Sequence, residues 1–339
     1  MATPAGTTQK AWRVVRRGSP SQALKFQNDL PIPTPSPGSV LVKIQAAALN
    51  PVGYKLMKLL PNLIAGRPHV TEHDVAGVIA NGNGTEFKEG DSVLGLVDNS
   101  KKQGALAQYA VIPAEGLVHI PPTLSLAQAA GLSLVGLTAV QGLVDILHIK
   151  AGQRIFINGG SSAVGALAIQ IAKTEKCHVT TSCSGGKIEG VKSLGADEIL
   201  DYTASPLWNQ LSSATTPYQF DAIFDAVGTT ALFTHSKAYL SPKGTYVSIV
   251  PEMNGVFGTL WGLFETSCRP TWLGGTPRTF KFFSMKPSKK NLQYLADLAR
   301  EGKLTVPVDS EYAMEDTLKA YERLMTGHAN GKVVVNITH

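Results

Sequence analysis

The sequence predicts an α/β protein in which a parallel sheet, covered by helices on both faces, is inserted into a mostly antiparallel β domain. From Arg154 the chain alternates continuous apolar runs with helical patterns (RIFING, VGALAIQIAKTEK, HVTTSCS, a helix around GVKSLG, EILDY, FDAIFDAVG, GTYVSIV), the rhythm of βαβ units. Before Pro121 and Pro122 lie short apolar runs punctuated by turn residues (VLVKIQAAAL, DVAGVIA, DSVLGLV, AQYAVI), which read as strands of an irregular barrel. The end of the chain, an amphipathic helix over 291–302 and the strand KVVVNI, returns to the texture of the beginning. The predicted boundaries are 1–126 with 287–339 for the β domain and 127–286 for the parallel sheet.

The chain has 339 residues, 43% hydrophobic and 17% charged, enough for two cores. Its 33 glycines and 20 prolines are dispersed, which excludes collagen-like and wholly disordered classes. No uninterrupted apolar run reaches the ~18 to 20 residues of a membrane span. The nearest, 256–264, is too short, so no span is expected. Cys177, Cys183 and Cys268 form no CxxC pair and cannot staple a chain of this size, which points to a reducing, cytoplasmic compartment. The basic, acid-free start MATPAGTTQKAWRVVRRGS has the composition of a mitochondrial presequence, but residues 12–15 read as a first strand and the cytoplasmic reading is kept. The net charge of +6 comes without long Lys/Arg runs or interleaved aromatics, so a phosphate-bearing small molecule is expected and specific nucleic-acid binding is not.

RIFINGGSSAVGALAIQIAK is a buried strand, a small-residue turn and a helix, the setting in which a GxGxxG-like loop brings backbone N–H groups to a pyrophosphate. In the frame Gly160, Ser161, Ser162, Ala163, Val164, Gly165 the outer glycines are present and the middle one is serine. The next strand ends in Ser182-Cys183-Ser184 and runs into Gly185-Gly186-Lys187. No acid follows it to hold the ribose hydroxyls of NAD, whereas Ser184 and Lys187 suit the 2′-phosphate of NADPH.

Read in order, ALNPVG, DVAGVI, FKEGDSV, GLTAVQGL, GGSSAVG, VKSLGADEILDY and GHANGKVVV resemble the medium-chain dehydrogenase/reductases over nearly the whole chain. The resemblance is to the zinc-independent quinone oxidoreductases of the zeta-crystallin type and their chloroplast-envelope homologue, with fungal trans-acting enoyl reductases as cousins. It implies a Rossmann domain inserted in a GroES-like catalytic domain, and NADPH-dependent reduction of quinones or activated double bonds. Where zinc-dependent members carry Cys, His and Cys, this chain has Asn50, His73 and Leu134, and one imidazole does not make a catalytic zinc site. No cysteine precedes Cys177 to build a structural zinc lobe, and His73 reads as a hydrogen-bonded structural histidine. Without a Lewis acid, quinones and enals are the expected acceptors, because hydride arriving at a conjugated carbon leaves a delocalised anion.

The resemblance carries cofactor roles to Asn50 and Thr138, to Ser161, Ser162, Ala163 and Val164 between Gly160 and Gly165, to Ser184 and Lys187, to Tyr202, and to Ile249 with Val250. Lys55, with neighbouring Tyr54 as the alternative, is the expected stabiliser of charge on the substrate oxygen; in an extended segment the two would face opposite ways. Gly53 stands where many relatives have the acid of NPxD. The aromatic stretch 252–277 reads as a pocket wall, a dimer contact or a buried hairpin. The strand-like TFKFFSM at 279–285 would end the parallel sheet with a free edge, which together with the resemblance suggests a homodimer. A short-chain dehydrogenase would use a YxxxK pair, but Pro242 breaks any helix between Tyr239 and Lys243. A non-catalytic NADPH-binding or interaction protein is the remaining alternative.

Overall fold

The structure, a computed structural model, describes residues 7–98, 102–213, 220–252, 261–262 and 264–337. It divides into two compact units, Met1–Leu137 with Pro287–His339, and Thr138–Lys286. The division falls late in the helix Leu126–Val140, at 137/138, and not at 126/127 where the helix starts. This helix is apolar on all sides, so its composition marks where it starts and not where its surroundings change.

The first unit is built on a seven-stranded sheet. Its path runs Val308–Ala313, Lys332–Asn336, Ser39–Ala48, Asp74–Asn81, Ser92–Leu96 and Leu117–His119, with Tyr109–Pro113 pairing on Ser39–Ala48. All pairings are antiparallel except that of Val308–Ala313 with Lys332–Asn336. A three-stranded sheet, Leu24–Pro31, Thr8–Val14 and His69–Val70, places the first strand where the sequence puts it. Val40, Val42, Ile44, Val75, Ile79 and Val333 meet Trp12, Met314 and Tyr321 in one core. The Trp12 indole N–H donates to the Met314 carbonyl at 2.7 Å, which satisfies the polar edge of a buried ring.

The second unit is a six-stranded sheet in which every pair is parallel: Glu198–Asp201, His178–Cys183, Arg154–Asn158, Phe220–Asp225, Leu240–Ser248, Thr279–Phe282. Numbered along the chain this is 3-2-1-4-5-6, the Rossmann order, which reverses direction at Arg154–Asn158. Ile155, Phe156, Ile157, Ile223 and Phe224 are fully buried, as expected of strands covered on both faces. Thr279–Phe282 is the free edge, with Phe282 exposed.

One expectation is corrected here. The helix continues from Leu126 to Ile146 and is long and apolar enough to cross a membrane, with mean hydropathy 1.6, whereas the sequence offered only 256–264. Since 72% of its most apolar window is buried, its side chains are spent on protein packing. Residues 256–260 and 263 lie outside the described residues. In the stretch 252–277, residues 253–260 and 263 also lie outside; the remainder is helical at 261–262 and 264–267, with Trp261 and Trp272 exposed, so no buried hairpin is found among the described residues.

Candidate functional site

In the second unit, the strand Arg154–Asn158 ends in a turn that opens the helix Ala163–Thr174. Ser162, read as a substitute for the middle glycine, is the N-cap, and its hydroxyl accepts from the Gly165 N–H at 3.0 Å. Ala163 and Val164, in the first turn, have N–H groups with no carbonyl partner inside the helix, and with Ser161 and Ser162 they are only half-buried. The close crossing of turn and helix requires glycine at 165, because a Cβ there would lie 2.1 Å from the Gly159 carbonyl oxygen.

Buried polar groups hold this turn from below. The Gly159 N–H donates to the Ser182 hydroxyl at 2.9 Å, and that hydroxyl donates to Asn158 Oδ1 at 2.7 Å. Asn158 Nδ2 donates to Asp225 at 2.8 Å, and Asp225 also accepts from the N–H groups of Val227, Gly228 and Thr229 and from the Tyr246 hydroxyl at 2.6 Å. Burial pushes the Tyr246 phenol well up and the neighbouring Asp225 charge adds to the shift, so the phenol remains a donor. The C-terminal ends of four adjacent strands are thereby fixed as one polar lattice under the turn.

Of the other residues expected at a cofactor in this unit, Ser184, Lys187, Tyr202, Ile249 and Val250 lie at or just after strand ends. Ser184 caps the short turn Gly185–Lys187, and both Ser184 and Lys187 are half-buried. Tyr202 is 53% exposed just after Glu198–Asp201, while Ile249 and Val250 follow Leu240–Ser248. Thr138 is buried at the start of the unit. No acid directly follows Ser184 in the chain, but the neighbouring strand brings one: Asp201 pairs in register with Cys183. Hydrogen bonds from the Thr203 hydroxyl and N–H, with a further one from the Gly185 N–H, hold its carboxyl below the usual range.

In the first unit, Asn50 caps the helix Pro51–Leu59. It is 1% exposed and its side chain is fully engaged: Nδ2 donates to Asp74 at 2.9 Å, to Glu72 at 3.4 Å and to the Ala48 carbonyl at 3.2 Å, while Oδ1 accepts from Lys332 Nζ at 2.7 Å. Asp74 and Lys332 form an ion pair at 3.0 Å with both side chains essentially sealed from water. Asp74 also accepts the Leu134 N–H at 2.7 Å. Two of the three positions matching zinc ligands are thus tied to one aspartate beside a fixed ammonium. His73, the third, lies with Nδ1 3.4 Å from the Val97 carbonyl. An amide engaged on every side, one imidazole and an aliphatic side chain do not fit a zinc ion.

Tyr54 and Lys55 lie on the helix Pro51–Leu59 and not in an extended segment, so about 100° of rotation separates them. Pro51 at the first helical position and Asn50 at the cap start a helix there. Tyr54 packs partly against the core and burial pushes its phenol up, whereas Lys55 is exposed. Above Gly53 sits the carboxylate of Glu72, which occupies the space an acid at position 53 would need. Glu72, Asp74, Tyr321, Lys332, Asn158, Asp225 and Asp201 were not singled out from sequence. The available signal was a charge opening an otherwise apolar strand, as in DVAGVIA and KVVVNI.

Comparison with known proteins agrees with this geometry. The alcohol dehydrogenase GroES-like domain family matches residues 36–122, and a family described as zinc-binding dehydrogenase matches 194–335. Trans-enoyl reductase pgmF of Aspergillus terreus is 37% identical over 99% of this chain and 98% of its own length. The chloroplastic quinone-oxidoreductase homolog of Spinacia oleracea is 31% identical over 94% of this chain and 95% of its own. Among solved structures, the quinone oxidoreductase from Coxiella burnetii superposes with a TM-score of 0.83 at 26% identity, covering 98% of this chain and all of that one. The chain therefore belongs to the medium-chain dehydrogenase/reductase superfamily, in its group of quinone oxidoreductases and enoyl reductases, and is an oxidoreductase that uses a nicotinamide cofactor.

Proposed function

We propose that the protein is an NADPH-dependent, zinc-independent reductase that delivers hydride to the conjugated carbon of an α,β-unsaturated carbonyl or of a quinone. The observation that carries this reading is the cluster around Asp74, in which positions matching zinc ligands are engaged by an aspartate and a lysine. A saturated carbonyl reduced without a metal would leave a localised alkoxide, whereas a conjugated acceptor spreads the charge over its own π system. The bound cofactor supplies the hydride. The chain's part is to seat the pyrophosphate on the N–H groups of Ala163 and Val164 against the helix dipole, and to hold a proton donor near the substrate oxygen. Relatives named as enoyl reductases and quinone oxidoreductases support both acceptor classes. The exposed edge strand Thr279–Phe282 supports a homodimer.

The test is turnover of an enone and quinone panel with NADPH and NADH, alongside metal analysis. Steady reduction of either acceptor class, preference for NADPH and well under one zinc per chain are expected; zinc at unit stoichiometry that activity follows would overturn the metal-free reading.

Cofactor choice is read out by Lys187. Lys187→Ala should weaken NADPH by about 1 to 3 kcal/mol, the worth of a charge-assisted phosphate contact, and leave NADH unchanged. Asp201→Asn should act in the opposite direction, because it removes a carboxylate held ionised close to the same turn. Equal affinity of the parent for the two cofactors would remove the basis for both.

The proton donor is read out on the helix Pro51–Leu59. Lys55→Met keeps the aliphatic stem and removes the charge, so enone turnover should fall about tenfold with NADPH affinity within twofold, as for a contact made mainly in the transition state. A loss in Tyr54→Phe with Lys55→Met unaffected moves the role to the phenol. No loss in either variant would mean that solvent protonates the product.

A further inference from the structure

We propose that Glu72 is a positioning residue of the reduction: it supplies, from a distant segment, the carboxylate that the helix Pro51–Leu59 lacks at its own third position. A helix start commonly closes on itself when an acid at the third helical residue reaches back to the N–H of the cap. Here the cap is Asn50 and the third residue is Gly53, which has no side chain to offer. The Asn50 N–H donates instead to Glu72 Oε2 at 3.0 Å, and the Asn50 side-chain amide donates to the same oxygen at 3.4 Å. The other carboxylate oxygen accepts from the Tyr321 hydroxyl at 2.6 Å.

Two further features show that the arrangement is a fitted one. A Cβ on Gly53 would lie 2.2 Å from Glu72 Oε1 and 3.1 Å from its Cδ, so the carboxylate is seated where only glycine leaves room. Glu72 itself has φ +65°, a backbone conformation rarely adopted by a residue with a long side chain, yet it is 1% exposed and held at both oxygens. The backbone is turned so that this side chain enters the helix start. There the hydrogen bonds that its oxygen accepts from Asn50 fix where the first turn begins. Tyr54 and Lys55 follow within that turn and the next, so Glu72 sets their placement without being a group that reacts. This rests on the reading that one of those two side chains serves the substrate oxygen.

If position and not identity of the carboxylate matters, it can be moved. Glu72 Oε2 lies 3.5 Å from the Cβ position of Gly53, within the reach of a glutamate placed there. The experiment is a cycle of Glu72→Gly, Gly53→Glu and the double variant, read by kcat and KM for an enone, by KM for NADPH and by thermal melting. Glu72→Gly should lower kcat at least tenfold with KM for NADPH changed less than threefold. Gly53→Glu alone forces two carboxylates into one space and should lower both kcat and Tm. The double variant should return kcat to within threefold of the parent and recover most of the Tm. A double variant that fails to fold, or whose kcat and Tm are no better than the two single changes combined, overturns the proposal. A parent inactive on every enone and quinone would refute the assigned reaction, and the Tm cycle would then still decide whether Glu72 and position 53 exchange one carboxylate.

Discussion

Asp74→Ala lowers the unfolding free energy of the unit that carries it by about 3 to 5 kcal/mol, the cost of leaving a buried charge without its partner. Both side chains of the pair with Lys332 are sealed, at 0% and 2% exposure, so water cannot replace the lost carboxylate. Removing Asp74 leaves the ammonium with Asn50 Oδ1, and also strips an acceptor from Asn50 Nδ2 and from the Leu134 N–H. Asn50 Nδ2 keeps the Ala48 carbonyl and Glu72 as acceptors, so the penalty comes chiefly from the buried ammonium. Adding Lys332→Met should recover much of the loss, because a buried ion pair contributes little net stability compared with apolar groups of similar volume. Trp12 is the only tryptophan within Met1–Leu137 and Pro287–His339, and it is buried, so urea unfolding followed by its fluorescence in a Trp208→Phe/Trp261→Phe/Trp272→Phe background reports on this unit. A loss below about 1 kcal/mol would show that the cluster relaxes or hydrates when opened.

The same cluster shows where sequence reasoning stops. The parallel unit was legible because its central strands, Arg154–Asn158 and Phe220–Asp225, are largely apolar runs and the connection after Arg154–Asn158 carries helical spacing, so element type and strand direction follow from local pattern. The glycine turn was legible for the same reason: its meaning depends only on the strand before it and the helix after it. The cap made by Ser162 is hidden because a glycine frame gives meaning to backbone freedom at that position and none to a hydroxyl. Asp201 is hidden because its carboxylate comes from the adjacent strand and not from the chain directly beyond Cys183. The Asn50 cluster was hidden more deeply. Tyr321 and Glu72 are 249 positions apart and Lys332 and Asp74 are 258 apart, so only the closed sheet brings them together. The resemblance draws attention to Asn50 as a residue at the cofactor, but nothing local in the sequence shows an amide wholly engaged in holding its own unit together.

Gly165→Ala should weaken NADPH binding at least a hundredfold, about 2.7 kcal/mol. The added methyl would stand 2.1 Å from the Gly159 carbonyl oxygen, 2.8 Å from its carbon and 2.9 Å from the Gly160 Cα, all of them backbone atoms. No rotamer change relieves such contacts, so turn and helix must separate. That separation acts on two bonds that define the cradle, the one from Gly165 N–H to Ser162 Oγ and the one from Ser162 N–H to the Gly159 carbonyl, both within 3.0 Å. The N–H groups of Ala163 and Val164 then shift with the helix start, and a pyrophosphate meets the helix dipole without the turn packed against it. Gly190→Ala is the matching control, since nothing lies within 4 Å of a Cβ there and it sits inside the helix Ile188–Ser193, where alanine is the better helix former. Fluorescence titration with NADPH, with thermal melting to follow the fold, separates the cases. Parent-like affinity in Gly190→Ala beside a hundredfold loss in Gly165→Ala is the expected pair, while Gly165→Ala binding NADPH within threefold of the parent would mean that the pyrophosphate is held elsewhere than on this turn.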